Sequence, residues 1–144
     1  MLRIVVDTNI WVRALMGGKV SLPVLQALQG NQFTLLVSKE LLTELREVAQ
    51  RPRLKKAIDD FDLQELLKLV ALRGEIVDLK TVPPRCRDPK DEPVLATAID
   101  GHADAIVTGD HDLRADDQLR KEMSAFGVQI WGVQSLIDAL LEPE

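Results

Sequence analysis

Four acidic residues carry the chemistry that this sequence could perform: Asp7, Glu44, Asp91 and Asp110. Asp7 ends the apolar run Ile4-Val5-Val6, and Asp110 lies just past Ile106-Val107-Thr108. Glu44 falls within a helical pattern and Asp91 opens another. Carboxylates at the carboxyl ends of buried strands, and on the helices beside them, converge at one edge of a parallel sheet, where open α/β sheets keep their sites. Two like charges about 4 Å apart cost about 4 kcal/mol at an effective dielectric of about 20. A fold that gathers several therefore needs a cation or shifted protonation to relieve the repulsion. The expectation is a metal site with metal-assisted chemistry.

The elements that must position these acids alternate along the chain. Residues 3–7 read as a buried strand, continuous in Ile and Val as parallel strands are. Thr8-Asn9 offers capping chemistry for a helix over 9–16, which Gly17-Gly18 ends. A second helix is predicted over 21–29, with Ser21 as cap, Pro23 in the first turn and Gly30-Asn31 as the stop. A strand over 33–37 precedes a helix capped by Ser38 and running to Gln50. After Pro52, helices follow over 53–58 and 62–73, then a strand over 75–79 and a loop containing Pro83, Pro84 and Pro89. A helix over 91–101, a strand over 105–108, a helix near 115–123, a strand over 127–131 and a helix over 133–141 complete the pattern. Such alternation predicts an α/β sandwich with a mainly parallel sheet. No repeat, low-complexity tract or linker interrupts it, so one domain is expected over residues 1–144.

Helix geometry selects among neighbouring acids. On the helix from Ser38, Leu41, Leu42, Leu45, Val48 and Ala49 share one arc, and Glu44 falls at its border, within about 40° of Val48. Glu40 and Glu47 lie farther round toward solvent. In the next acid-bearing helix Val94, Leu95, Ala98, Ile99 and His102 define an apolar face with Asp91 near its centre and Glu92 about 100° away. Each acid also has a plainer reading. Asp7, Asp91 and Asp110 stand where an N-cap would, and a helical Glu is commonly solvated. Asp88, before Pro89, is a second capping candidate that would leave Asp91 free. Asp112 either joins Asp110 as a ligand or caps the following helix.

Composition bounds the partners. The net charge of −5 argues against a uniformly phosphate-binding surface, and two Trp, three Phe and no Tyr are too few for a base-stacking platform. Basic residues do cluster locally, as Arg46, Arg51, Arg53, Lys55 and Lys56 in one stretch and Arg85, Arg87 and Lys90 in another beside Asp91. Cys86 is alone, which excludes an internal disulfide and a Cys-rich zinc site. Neither a charged-then-apolar leader nor an apolar run of membrane-spanning length is present, so a soluble cytoplasmic protein is expected.

The chain resembles the PIN-domain ribonucleases, and among them the VapC-like toxin components of toxin–antitoxin pairs. Val5-Val6-Asp7-Thr8-Asn9-Ile10 is similar to the family's opening strand and first acid. Ser38-Lys39-Glu40-Leu41-Leu42-Thr43-Glu44-Leu45, followed by Arg51-Pro52-Arg53-Leu54, is similar to the segment of the second. Asp88-Pro89-Lys90-Asp91-Glu92-Pro93 resembles the third, and Val107-Thr108-Gly109-Asp110-His111-Asp112-Leu113 the fourth. Glu92 departs from the Asp often found there. The resemblance implies a three-layer Rossmann-like fold with about five mainly parallel strands flanked by helices. It also implies Mg²⁺- or Mn²⁺-dependent cleavage of RNA, a homodimer and a cognate antitoxin. Asp7, Glu44, Asp91 and Asp110 carry over as metal-binding acids, Asn9 and Thr108 as supporting residues, and Asp112 as a possible extension of the site.

Oxygen-only donors suit a hard divalent ion rather than zinc, for which His102 and His111 are too few and wrongly placed. The expected arrangement has Asp7, Asp91 and Asp110 at the ion and Glu44 at the rim, with the basic stretches at 46–56 and 85–90 holding flanking phosphates. Attack by water needs no 2′-hydroxyl, so the products should carry 5′-phosphate and 3′-hydroxyl ends. One rival class is a phosphoacceptor, as in receiver domains or haloacid-type phosphatases. Asn9 stands where the phosphatase motif needs its second acid, and residues 127–131 contain no receiver-like Lys. A catalytically silent interaction module is the other rival, and the full set of acids speaks against it.

Overall fold

Short runs of β-branched and leucine residues build the sheet. In the computed structural model, which describes residues 1–142, five strands pair in parallel. These are β1 (Arg3–Val6), β2 (Thr34–Val37), β3 (Glu75–Ile76), β4 (Ala105–Val107) and β5 (Gln129–Trp131), in the spatial order β3-β2-β1-β4-β5. Val5 stands opposite Leu36 on one side and Ile106 on the other. All three are buried, as a strand covered on both faces requires. The chain winds outward from β1 through β2 to β3, then returns to the far side of β1 for β4 and β5. A crevice therefore opens between β1 and β4 at their carboxyl ends, the topological switch point of such sheets.

The helices flank this sheet. They are α1 (Thr8–Leu15), α2 (Leu22–Gln29), α3 (Lys39–Ala49), α4 (Pro52–Ala57), α5 (Asp60–Arg73), α6 (Glu92–Asp100), α7 (His111–Ala115), α8 (Asp117–Ser124) and α9 (Val133–Leu141), with a 3-10 turn at Pro89–Asp91 leading into α6. One contiguous cluster of buried apolar side chains, from Ile4 to Leu136, joins helices and strands. The expected α/β architecture is thus present.

Several boundaries differ from the sequence reading, each for a local reason. The strand expected over 75–79 is only Glu75–Ile76 at the sheet edge. Val77 still donates to Val37 O, after which the chain departs toward the proline loop. The helix expected near 115–123 is two helices, because Asp116 ends α7 and caps α8 by accepting from Leu119 N–H at 3.0 Å. His102 does not extend the apolar face of α6: it lies outside the helix, exposed, with φ of +53°. Every residue from Val94 to Ile99 is buried, so α6 is enclosed all round and its acid was chosen by position rather than by phase. Ser21 occupies an N-cap position without a side-chain cap bond.

A buried hydroxyl pair joins the two helices that carry Glu44 and Asp91. Thr97 Oγ1, on α6, donates to Pro93 O at 2.6 Å. Its hydrogen being spent, it accepts from Ser38 Oγ at 2.8 Å, and Ser38 in turn accepts Leu41 N–H at 3.4 Å as the cap of α3. Ser38 and Thr97 are both fully buried. Thr97→Val keeps the shape but leaves the Ser38 hydroxyl without an acceptor, and should destabilise the protein by about 1–3 kcal/mol in urea unfolding. Wild-type stability in this variant would show that the pair does not couple the helices.

Candidate active site

The β1–β4 crevice is built from one hydroxyl and two carboxylates. Asp7 follows β1 and is almost wholly buried, with its N–H donating to Val107 O at 2.9 Å. Its Oδ2 accepts the Thr108 hydroxyl at 2.8 Å, and Thr108 Oγ1 accepts Asp110 N–H at 3.0 Å. Thr108, at the end of β4 and fully buried, thereby ties the first acid to the last. Asp7 also caps α1, its Oδ1 accepting Asn9 N–H at 3.4 Å. Asp110 likewise caps α7 through Asp112 N–H at 2.8 Å. Capping and site placement coexist because a carboxylate has two oxygens and each cap uses one.

Asp91 is different. It occupies the N-cap position of α6 yet makes no side-chain cap bond, since Asp88 does the local capping by accepting Lys90 N–H at 3.0 Å. Its carboxyl is pushed up to about 7, first by burial and then by the charges of Asp7, Asp110, Asp88 and Glu44. Burial likewise raises Asp7, opposed by its bonds to Thr108 and Asn9. Glu44 is raised by burial and then by Asp7, against a hydrogen bond from Thr8 and the charges of Arg51 and Lys90. Three of the four acids thus feel the others' charge. As the phasing predicted, Glu44 is half-buried while Glu40 and Glu47 are exposed.

The supporting residues fall into two groups. Arg51 and Lys90 line a groove of about 560 Å³ with Thr43, Glu44, Val48 and Pro93. Arg46, Arg53, Lys55 and Arg85 are exposed and lie outside that lining, while Arg87 pairs with Asp112 at 3.3 Å on the surface. Asp112 caps no helix, as Asp116 caps α8. Asn9 is exposed and contributes its backbone N–H. Two residues went unnoticed as site residues in the sequence. Thr8, read there as a cap, is buried and near enough to Glu44 to lower its pKa against the burial that raises it; its place beside Asp7 at a strand–helix joint was the available signal. Arg13 interacts with Asp7 and packs its guanidinium on Gly109, a contact across distant positions that left no local signal.

The donor set fits a hard divalent cation: oxygen ligands only, partly buried, with unrelieved like charge. The fit is not a ready-made shell. Among the described residues no three His, Cys, Asp or Glu side chains stand close enough to hold an ion together. The bonds to Thr108, Asn9 and Asp112 fix where Asp7 and Asp110 rest.

The raised Asp91 pKa has a defined consequence for stability. The folded state holds this proton more tightly than the unfolded chain, so the contribution to stability is full below about pH 4 and is lost as pH rises through about 7. In EDTA, thermal unfolding of Asp91→Asn should show a flatter pH dependence than wild type from pH 4 to 8 and a higher Tm above pH 7. Added Mg²⁺ or Mn²⁺ at pH 8 should raise the wild-type Tm more than that of the variant. Parallel profiles would mean that Asp91 does not sit in the charge environment described.

The fold has counterparts among known proteins. The PIN domain family matches residues 3–112, the stretch that carries all four acids. VapBC2 from Rickettsia felis, crystallised bound to a DNA fragment from its promoter, is similar in structure with a TM-score of 0.57 and 18% identity, over 91% of this chain and 98% of the solved one. A PilT N-terminus domain protein from the hyperthermophilic archaeon Sulfolobus solfataricus P2 aligns with a TM-score of 0.51 and 14% identity, over 99% and 97% of the two chains. No curated protein matches the sequence. At these identities the solved structures speak for the fold, and the family match, spanning most of the sequence, speaks for descent: the chain belongs to the PIN-domain family.

Proposed function

We propose that this PIN-domain protein is an endoribonuclease that hydrolyses RNA phosphodiesters with Mg²⁺ or Mn²⁺, and that it is the toxin of a toxin–antitoxin pair. The observation that supports the reading is the Asp91 carboxyl, which is raised by burial and by the charges of Asp7, Asp110, Asp88 and Glu44 and makes no hydrogen bond among the described residues. Asp7, Asp91 and Asp110 are the residues that would hold the ion, with Glu44 at the rim. A divalent ion bound here supplies a water of lowered pKa and charge compensation for the phosphate. Thr108 holds Asp7 and Asp110 in register, and Glu44, raised by burial and by Asp7, is suited to take up a proton. Arg51 and Lys90, in the groove beside Glu44, would bind the phosphates flanking the scissile bond.

The likeness to VapBC2 supports a protein antitoxin as partner, and the family resemblance supports a homodimer acting in the cytoplasm as one domain over residues 1–144. Among the described residues no helix is long and apolar enough to cross a membrane.

With Mg²⁺ or Mn²⁺ and an end-labelled RNA, Asp7→Asn and Asp91→Asn should abolish cleavage. Thr8→Val, which removes only the hydroxyl behind Glu44, should lower it by about 10–100-fold. Product ends should be 5′-phosphate and 3′-hydroxyl. Full activity in Asp7→Asn, or 2′,3′-cyclic phosphate products, would sink the assignment.

A further inference from the structure

Two arginines far apart in sequence are seated in the same way. Gly109 lies just past β4 and Gly132 just past β5, so both stand at the carboxyl edge of the sheet on neighbouring strands. Arg13, from α1, lays Nη1 so close over Gly109 that a Cβ there would collide with it. Arg114, from α7, does the same at Gly132, where a Cβ would stand 2.8 Å from its Nη1. A Cβ at either position would make the guanidinium shift from where it now lies. Arg120 steadies the second seat by donating to Arg114 O at 3.0 Å and Ile130 O at 3.1 Å, which fixes the end of α7 against β5.

Arg13 feels the charge of Asp7, yet neither guanidinium is tied down by a bond. Both residues are exposed, and neither guanidinium makes a hydrogen bond or ion pair among the described residues, whereas Arg3, Arg87 and Arg120 each do. Each presents a planar fork of N–H donors that matches a phosphate. Their placement follows from strand order. The groove of Arg51 and Lys90 belongs to α3 and the start of α6, on the β2 side of Asp7. Gly109 and Gly132 continue the same edge on the β4 and β5 side. The acids lie between.

We infer that Arg13 and Arg114 form a phosphate track for single-stranded RNA, running from the acid crevice outward across the ends of β4 and β5. The identity of the polymer rests on the endoribonuclease reading. A strand lying along this edge is held by Arg51 and Lys90 on one side of the scissile position and by Arg13 and Arg114 on the other. Gly109 and Gly132 serve the track by leaving room for the guanidinium groups. A purely structural part for Arg13, balancing the charge of Asp7, would leave Arg114 and its glycine without a role, since no acid pairs with Arg114.

The test is equilibrium binding of a fluorescent single-stranded RNA to the full chain in EDTA, titrated over a range of salt, with thermal melts confirming that each variant is folded. Arg114→Gln and Arg13→Gln should each weaken binding severalfold and reduce the slope of log K against log salt by about 0.7, the loss of one phosphate contact on a single strand. Gly132→Ala, which keeps the charge but displaces the guanidinium, should lose part of the same affinity. Lys68→Gln, on the exposed face of α5, should bind as wild type does. In the cleavage assay KM for the same RNA should rise in both arginine variants. Unchanged affinity and salt slope in both arginine variants, in a wild type that cuts RNA, overturns the track and leaves the nuclease reading standing. Reduced slopes in the arginine variants, where no divalent metal makes the wild type active, sustain the track and overturn the nuclease reading.

Discussion

The Thr108 hydroxyl is the contact on which the site depends. It donates to Asp7 and accepts from the backbone of Asp110, so one buried oxygen sets the spacing of two acids that would otherwise repel. Backbone pairing extends just far enough to allow this, with Asp7 N–H on Val107 O and Thr108 N–H on Trp131 O. Val cannot replace Thr there without loss, because its methyl neither donates to a buried carboxylate nor accepts a backbone N–H. Burial makes the arrangement strong and also makes it costly, as the upward shifts of Asp7, Glu44 and Asp91 show.

The other two acids reach the crevice on helices rather than strand ends, and their positions are fixed by different means. Glu44 rides on α3 and Asp91 on the first turn of α6. Ser38 and Thr97 join those helices through a buried pair of hydroxyls. Division of labour among neighbouring acids keeps the carboxylates usable. Asp88 caps the 3-10 turn so that Asp91 need not, and Asp7 and Asp110 each give one oxygen to a helix start, the second oxygen of Asp7 accepting the Thr108 hydroxyl.

Much of this was legible in the sequence, for reasons that can be named. The β-branched run before Asp7 and the Ile-Val-Thr run before Asp110 mark central parallel strands, and a charged residue ending such a run has to sit at a strand terminus. Glu44 was separable from Glu40 and Glu47 because α3 has one wet face, and its periodicity survives in the fold. The same reasoning misplaced His102, since α6 is buried on every side and its pattern carries no direction. The basic stretches were legible only as charge. Which of their members lie near the acids depends on where α4 and the 3-10 turn dock, and only Arg51 and Lys90 do so at the groove.

Sequence by itself determined the order of strands and helices and the choice of Glu44 over Glu40 and Glu47, because these follow from local periodicity, capping chemistry and the positions of chain breakers. Tertiary structure alone decided that Thr108 bridges Asp7 to Asp110 and that Arg13 and Arg114 lie over Gly109 and Gly132. Each of those contacts joins positions whose separation in the chain is unrelated to their separation in space. Nothing in the local pattern encodes a distance that only the β1–β4 pairing creates.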